Sequence, residues 1–552
     1  MKQLKKKFIG IGFICSVIAI FAFSTPGDRL FDIAKNLDIY ASVFKELNKF
    51  YVDEINPNTA IKTSIDALLK SFDPYTVFYP EDELEDYLTM TTGKYQGIGI
   101  ILEEINHKHY IVYVDENSPA AKAKLGIGDQ ITAVNGIDIT EKTDVDHSKL
   151  MKGQAGTKLS MMIIKNGKSS PEEIQVIRET VQINNVVYSG MIRPEVGYIL
   201  LEDFNSSAAK ELKNALQNLK KEGMKKLILD LRENPGGLLT QAVDICNLFL
   251  KKETKIVETR GKVEEWNKSY LALNPSLEPD LPLIILINNH SASAAEIVAG
   301  VMQDYDRAVL IGQKSYGKGL VQVTRDLPYR TKMKITTAKY YIPSGRCIQA
   351  IDYQNKNADG SGRSIKDSNQ KVFYTQNNRK VIDGGGIQPD INIKKNSGTA
   401  FIQTIREDNW AFLYACHYQN LHPTIAPAKV FNFNDAEFDT FSKWLKSQKF
   451  TYVSQIEKQM KNLLENSKKD PSYAGLENNL NAIKAEWTSS IDKELKANKK
   501  ELSELLEAQI ILHYYYQKGV KEWSFTKDEA ILESIRLFDQ PERFQSILAE
   551  KK

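Results

Sequence analysis

Histidine and cysteine are scarce in this chain, with seven and four among 552 residues. His107 and His109 form the only close histidine pair, and neither a His-Glu-x-x-His nor a Cys-x-x-Cys spacing occurs. A metal site of recognisable ligand spacing is therefore not expected, and no cofactor is implied. The few cysteines exclude a disulfide framework. Cys15 lies in an N-terminal apolar run, Cys347 and Cys416 are far apart, and Cys246 sits on an apolar helical pattern that reads as a core thiol. An excess of one charge is also lacking. Lys and Arg total 73 against 70 Asp and Glu, a net charge of +3, which leaves no electrostatic footprint for nucleic acid.

A comfortable membrane span is missing too: the apolar run Phe8–Phe23 has 16 residues, short for a transmembrane helix. It follows the basic head Met1-Lys2-Gln3-Leu4-Lys5-Lys6-Lys7 and ends at Ala22-Phe23-Ser24, with small residues at the two positions a signal peptidase reads. Residues 1–24 are expected to be a signal peptide or an N-terminal anchor. The mature protein would then be exported to the periplasm or cell envelope, either soluble or associated with the membrane through residues 8–23.

What is present describes a globular protein of several domains: 42% apolar and 26% charged residues over a length too great for one ordinary domain. Residues 25–88 read as helices. Leu37, Val43, Phe44, Leu47 and Phe50, then Ile61, Ile65, Leu68 and Leu69, recur at helical spacing until Asp73-Pro74-Tyr75-Thr76 breaks the pattern. This segment reads as a support with little chemistry of its own. In residues 89–170, Tyr95-Gln96-Gly97-Ile98-Gly99-Ile100 precedes strand patterns, a capped Ser118-Pro119-Ala120-Ala121 turn, and Gly128-Asp129-Gln130-Ile131 leading to Val134-Asn135-Gly136. Residues 171–398 alternate strand and helix patterns, as an α/β core does. Residues 399–552 turn Lys-, Glu- and Asn-rich with helical periodicity, which reads as solvated helical faces. There, His513-Tyr514-Tyr515-Tyr516 reads as a packing seam. The fold class expected is multidomain α+β.

Chemistry concentrates in the core. Ser293 lies in His290-Ser291-Ala292-Ser293-Ala294-Ala295-Glu296, between the apolar strand pattern Leu283–Ile287 and a helical one. A serine on a strand-to-helix turn projects from the top of a sheet, with the positive end of the helix at its site. Lys318 lies in Tyr316-Gly317-Lys318-Gly319-Leu320-Val321-Gln322, 25 residues on. A lysine can act as the serine's base when burial keeps it neutral. Taken singly, the first segment reads as close packing of small residues and the second as an exposed turn; together they point to a serine hydrolase without a catalytic histidine. His290 is poorly placed on its short turn to serve as base. Glu296, in the first helical turn, reads as a charge favourable at the helix N-terminus rather than as a catalytic acid.

The two segments closely resemble those of the C-terminal processing peptidases, or tail-specific proteases, which carry a Ser-Ala-Ser-Ala-x-Glu segment and a downstream Gly-Lys-Gly-x-Val-Gln segment. Residues 95–136 resemble a PDZ domain. The resemblance implies a serine endopeptidase with a Ser293–Lys318 dyad, Gln322 as third catalytic residue, and Gly237 and Ala294 N–H groups as the oxyanion hole. It also implies that the backbone of Gly97, Ile98, Gly99 and Ile100 receives a terminal carboxylate while the peptide adds as a strand. The partners implied are protein or peptide substrates with free C-termini; the sequence names no adaptor. A catalytically inactive PDZ-bearing binding or scaffold protein of the cell envelope is the rival reading, and the intact set Ser293, Lys318 and Gln322 argues against it.

Overall fold

The computed structural model describes residues 26–140, 148–394, 398–469 and 491–549, together with 472, 475, 479, 480, 482 and 483. The segment expected to be a signal or anchor lies outside these residues. Among the described residues no helix is long and apolar enough to cross a membrane.

The chain opens with α1 (Pro26–Phe50) and α2 (Pro57–Lys70). Asn56 caps α2 by accepting from the N–H groups of Asn58 and Thr59, which satisfies donors a helix start otherwise leaves unpaired. The apolar positions of α1, including Leu37, Val43, Leu47 and Phe50, are exposed, so its periodicity marks a face that none of the described residues covers. Beyond the Asp73–Thr76 turn, β1 (Val77–Tyr79) pairs with a strand of the core, and α3 (Leu84–Thr92) leads into the next domain.

That domain contains β2 (Lys94–Gly97), β3 (Ile100–Ile105), β4 (Lys108–Val114), α4 (Pro119–Lys122), β5 (Gln130–Val134), β6 (Ile137–Asp138), α5 (Ser148–Met151), β7 (Lys158–Ile164), β8 (Glu172–Ile177) and β9 (Glu179–Gln182). Its main sheet runs β3-β4-β5-β7-β8, so β3 is an edge strand, and β2 pairs separately with β9. Alternate residues of β7, namely Leu159, Met161 and Ile163, are buried, the period-2 pattern of a sheet with one covered face.

The core is built on a six-stranded sheet from β10 (Val186–Arg193), β11 (Val196–Leu201), β12 (Lys226–Asp230), β15 (Leu283–Ile287), β16 (Val309–Gly312) and β19 (Ile391–Asn392), in that order. Only the β10–β11 pairing is antiparallel. Helices α6 (Ala208–Lys221), α7 (Leu239–Phe249) and α8 (Ala294–Asp304) cover one face. Leu227, Leu229, Leu283 and Ile285 point into that face, whereas Ile228, Ile284 and Leu286 point into the other. Burial on both sides explains why these strands read as continuous apolar runs. A second sheet joins β13 (Lys255–Gly261), β14 (Lys268–Leu271), β17 (Leu320–Leu327) and β18 (Thr331–Tyr341) to β1, through Val77↔Lys334, Phe78↔Met333 and Tyr79↔Lys332.

The C-terminal region is helical, as expected, but it packs in two places. Helices Ala400–Glu407, Trp410–Leu421, Asp435–Ser447, Ile491–Ala497 and Lys499–Ser524 share one core, which touches the β3–β8 domain through Phe412 and Cys416. Within it Tyr514 and Tyr515 pack against that core and Tyr516 against the other domain, the seam the sequence suggested. Helices Glu529–Phe538 and Pro541–Leu548 instead cover the second face of the six-stranded sheet with Ile531, Leu537 and Phe544. Among the described residues Cys246, Cys347 and Cys416 form no disulfide, and Cys246 is fully buried in the core.

Candidate active site

Three loops meet at the carboxyl ends of the parallel strands β12, β15 and β16: residues 231–238, 288–293 and 313–319. This edge is where open α/β sheets bind ligands. In the middle loop, Ser291 is fully buried and structural. Its Oγ donates to the Leu231 carbonyl at 2.7 Å and accepts from Asn288 N–H at 2.9 Å. Two residues on, Ser293 precedes α8 with φ +53° and ψ −113°, a conformation that costs a non-glycine residue on the order of 1–3 kcal/mol and collects at functional sites.

Glycines let the first loop close on this turn. Gly236 has φ +94°, and a Cβ there would fall 2.8 Å from both Ser293 Cβ and the Ala294 nitrogen. Gly237, at φ +150°, is held by bonds on either side of it. Phe204 N–H donates to Gly236 O at 3.2 Å, and Leu238 N–H donates to Phe204 O at 2.8 Å. Among the described residues neither the Gly237 nor the Ala294 N–H has an acceptor. Two free donors, one of them at the start of α8, thus flank Ser293.

Lys318 arrives on the third loop, and two fully buried groups tie it to the serine. The Glu296 carboxylate accepts from Ser293 N–H at 2.8 Å, Lys318 N–H at 2.9 Å, Gly317 N–H at 2.7 Å and Ser315 Oγ at 2.5 Å. The Tyr340 hydroxyl reaches the Lys318 carbonyl at 2.7 Å and the Ser293 carbonyl at 3.2 Å. Glu296 is thus more than a charge at a helix start; it clamps two loops through four donors. Burial pushes its carboxyl up to about 7, opposed by those hydrogen bonds.

Burial brings the Lys318 amine down to about 8, helped by the nearby Lys334 charge and opposed by Glu296 and Asp73. Among the described residues no hydrogen bond joins its Nζ to Ser293 Oγ; the Nζ lies 4.3 Å from the centre of the Tyr75 ring. Gln322, on β17, donates through Nε2 to Thr336 Oγ1 at 3.2 Å, and Thr336 N–H donates to Thr76 Oγ1 at 3.2 Å. His290 is exposed, with Nδ1 3.9 Å from a Glu233 carboxylate oxygen. The structure therefore brings Ser293, Lys318, Gln322, Gly237 and Ala294 into one region and leaves His290 on the surface.

The reading of residues 25–88 as a support with little chemistry needs correction, because the Asp73–Thr76 turn reaches Lys318 through Tyr75 and touches Thr336, the partner of Gln322. The roles of Tyr75, Tyr340 and Thr336 were also not visible in the sequence. Only the Asp-Pro turn, as a helix break, was a local signal.

In the other domain, the Ile98 side chain is fully buried in the core, so only its backbone remains for a ligand. Gly99 has φ +83°, and a Cβ there would meet Ser118 Cβ at 2.1 Å. This glycine is required by packing irrespective of any carboxylate. Ile100 opens the edge strand β3 and is half-buried together with Leu102 and Leu150.

Among the described residues no group of three or more His, Cys, Asp or Glu side chains could hold a metal ion.

An α/β core with a serine at a strained strand-to-helix turn, joined to a PDZ-like sheet, defines a PDZ-bearing serine peptidase. Family comparisons agree. Residues 195–356 match peptidase family S41, residues 96–176 a PDZ domain, and residues 401–538 a probable PDZ-protease C-terminal helical domain. A carboxy-terminal-processing protease of Bartonella bacilliformis (strain ATCC 35685 / KC583 / Herrer 020/F12,63) is 32% identical over 348 residues, which cover 62% of this chain and 80% of the relative. A probable CtpA-like serine protease of Staphylococcus aureus (strain MRSA252) is 31% identical, covering 62% and 69%. A solved photosystem II D1 C-terminal processing protease is 24% identical over 64% of this chain and 86% of its own, at a TM-score of 0.35. The chain belongs to the C-terminal processing peptidases, the PDZ-bearing serine proteases of peptidase family S41.

Proposed function

We propose that this peptidase is an exported endopeptidase that cuts polypeptides near their C-termini with a Ser293–Lys318 dyad, its PDZ domain binding the substrates' C-terminal tails. One observation carries the dyad: the Glu296 carboxylate and the Tyr340 hydroxyl each bind the backbones of both Ser293 and Lys318. Ser293 Oγ attacks the scissile carbonyl carbon and gives its proton to neutral Lys318 Nζ. The carbonyl oxygen, now anionic, is received by the Gly237 and Ala294 N–H groups, donors of a kind worth about 2.7–4 kcal/mol each. Collapse breaks the C–N bond, and Lys318 passes the proton to the leaving amine. Water then hydrolyses the acyl-serine by the same route in reverse. Gln322 contributes a neutral polar neighbour that does not trap the lysine as ammonium.

The edge position of β3 supports tail binding, since an edge strand leaves one row of backbone groups for a peptide to pair with. Export rests on residues 1–24. N-terminal sequencing of protein recovered from fractionated cells checks it, and an uncut chain in the cytosol overturns it.

Cleavage of an unstructured polypeptide tests the dyad. Ser293→Ala and Lys318→Ala should abolish turnover with the fold intact by circular dichroism. Lys318→Arg should be equally inactive, because a guanidinium does not give up its proton. Residual cleavage by Lys318→Ala removes the lysine from the mechanism, and a wild type without activity favours the scaffold reading.

A further inference from the structure

The Asp73-Pro74-Tyr75-Thr76 turn lies outside the peptidase core in sequence and inside its site in space. Pairing of β1 with β18 brings it there, and Asp73 fixes its shape. Asp73 Oδ1 accepts from the N–H groups of Tyr75 and Thr76, each at 2.8 Å, and Oδ2 accepts from Thr76 Oγ1 at 3.1 Å. The Tyr75 ring is braced by Tyr353, edge-on at 6.0 Å between centroids, and its hydroxyl lies 3.4 Å from those of Tyr316 and Tyr353. A ring so held presents its face to Lys318 Nζ at 4.3 Å. The same turn touches Thr336, the acceptor of the Gln322 amide.

We propose that Tyr75 is a positioning residue for the general base: its ring face seats the Lys318 ammonium in the resting enzyme, and the amine leaves that seat as the neutral form to reach Ser293 Oγ. The inference rests on Lys318 being the base. A π face attracts a cation and offers nothing comparable to a neutral amine, so Tyr75 favours the protonated state while it keeps water off the amine. The other charged or titratable groups facing the lysine are Lys334 on β18, Glu296 on α8 and Asp73 in the turn itself. Tyr340 contacts the lysine only through its backbone carbonyl. None of these is altered by a substitution at Tyr75, whereas Tyr316 and Tyr353 lose a hydroxyl contact.

Replacing the ring while keeping apolar cover separates the two effects. Tyr75→Leu should move the acid limb of kcat/KM against pH toward acid by about one pH unit, the size of a partly desolvated cation–π contact. Tyr75→Phe keeps the ring and loses only the hydroxyl contacts, so its limb should stay with the wild type. Tyr75→Trp, a stronger π face, should move it toward alkaline pH, which keeps the question answerable if the leucine variant fails to fold. The amine itself is read by the pH dependence of reductive methylation at Lys318, measured by mass spectrometry in a Ser293→Ala background. The midpoint should shift in the same order. Equal midpoints for Tyr75→Leu, Tyr75→Trp and wild type, or an equal shift in Tyr75→Phe, overturn the proposal. Cleavage surviving in Lys318→Ala overturns the dyad instead, and leaves the methylation midpoints to report on the seat alone.

Discussion

A lysine amine accepts a serine proton only when it is itself neutral, so the proposed dyad requires at the residue scale that the site disfavour an ammonium. Burial does most of it, and Lys334 adds a like charge, bringing Lys318 down to about 8 from the usual value of about 10.4. The sign follows directly. Below that value the base is protonated and idle, and above it the base is competent. The acid limb of kcat/KM for the free enzyme should therefore rise through a pH near 8. Lys334→Gln removes the like charge, so the ammonium becomes easier to keep and the limb should move to higher pH, lowering the rate at neutral pH. Cleavage rates of a fluorogenic polypeptide between mildly acid and alkaline pH check this; a limb that stays in place would show that Lys334 does not act on the base. The same pair of residues marks what was legible locally. Ser293 and Lys318 sit in short segments that reveal them when the two are taken together, whereas Tyr75 and Tyr340 reach them by long-range packing that no local pattern encodes.

Elements, rather than single side chains, set the proposed oxyanion donors. The 231–238 loop reaches Ser293 because Gly236 tolerates both a positive φ and contact with the next loop. Gly236→Ala should push that loop from the α8 start and displace the Gly237 N–H. A drop in kcat of about 10² or more is expected, with KM changed much less, because the donor acts on the developing charge rather than on the bound substrate. Circular dichroism and a thermal melt distinguish this from simple instability, which lowers the active fraction and so mimics a fall in kcat at unchanged KM. Strand β3 makes the complementary point for the PDZ domain. Its edge position follows from the order in which β4, β5, β7 and β8 pair, and its sequence, Ile100-Ile101-Leu102-Glu103-Glu104-Ile105, carries no mark of that position.

At the scale of the whole molecule, the C-terminal helices are part of the peptidase core as well as an appended domain. Asp230, fully buried at the end of β12, accepts from Arg232 and from the Tyr198 hydroxyl at 2.6 Å. Arg232 also reaches Asp528 at 2.8 Å, and Asp528 caps helix Glu529–Phe538 by accepting from Ala530 and Ile531 N–H groups. Asp528→Ala removes a cap and one partner of a half-buried arginine together. It should lower stability by about 1–2 kcal/mol and expose residues 525–549 to proteolysis before the PDZ domain is cut. Limited digestion followed by mass spectrometry reads this order; release of the PDZ domain first would mean that the helices are held mainly by Ile531, Leu537 and Phe544.

The sequence by itself determined the domain order, the buried character of the core strands, the break at Asp73-Pro74 and the serine and lysine segments. Each is written in neighbouring residues, as apolar runs, turn formers or motif spacing. Leu283–Ile287, for example, reads from the sequence as the apolar strand that is found. Tertiary structure decided which turn covers the lysine, which carboxylate holds both loops together, and which helices close the second face of the sheet. The Tyr75 ring meets Lys318 only because β1 adds to β18. Glu296 gathers its four donors only because β15 and β16 lie side by side. Strand order is fixed by the burial of whole faces, a sum over residues distant in the chain, so no local segment carries it.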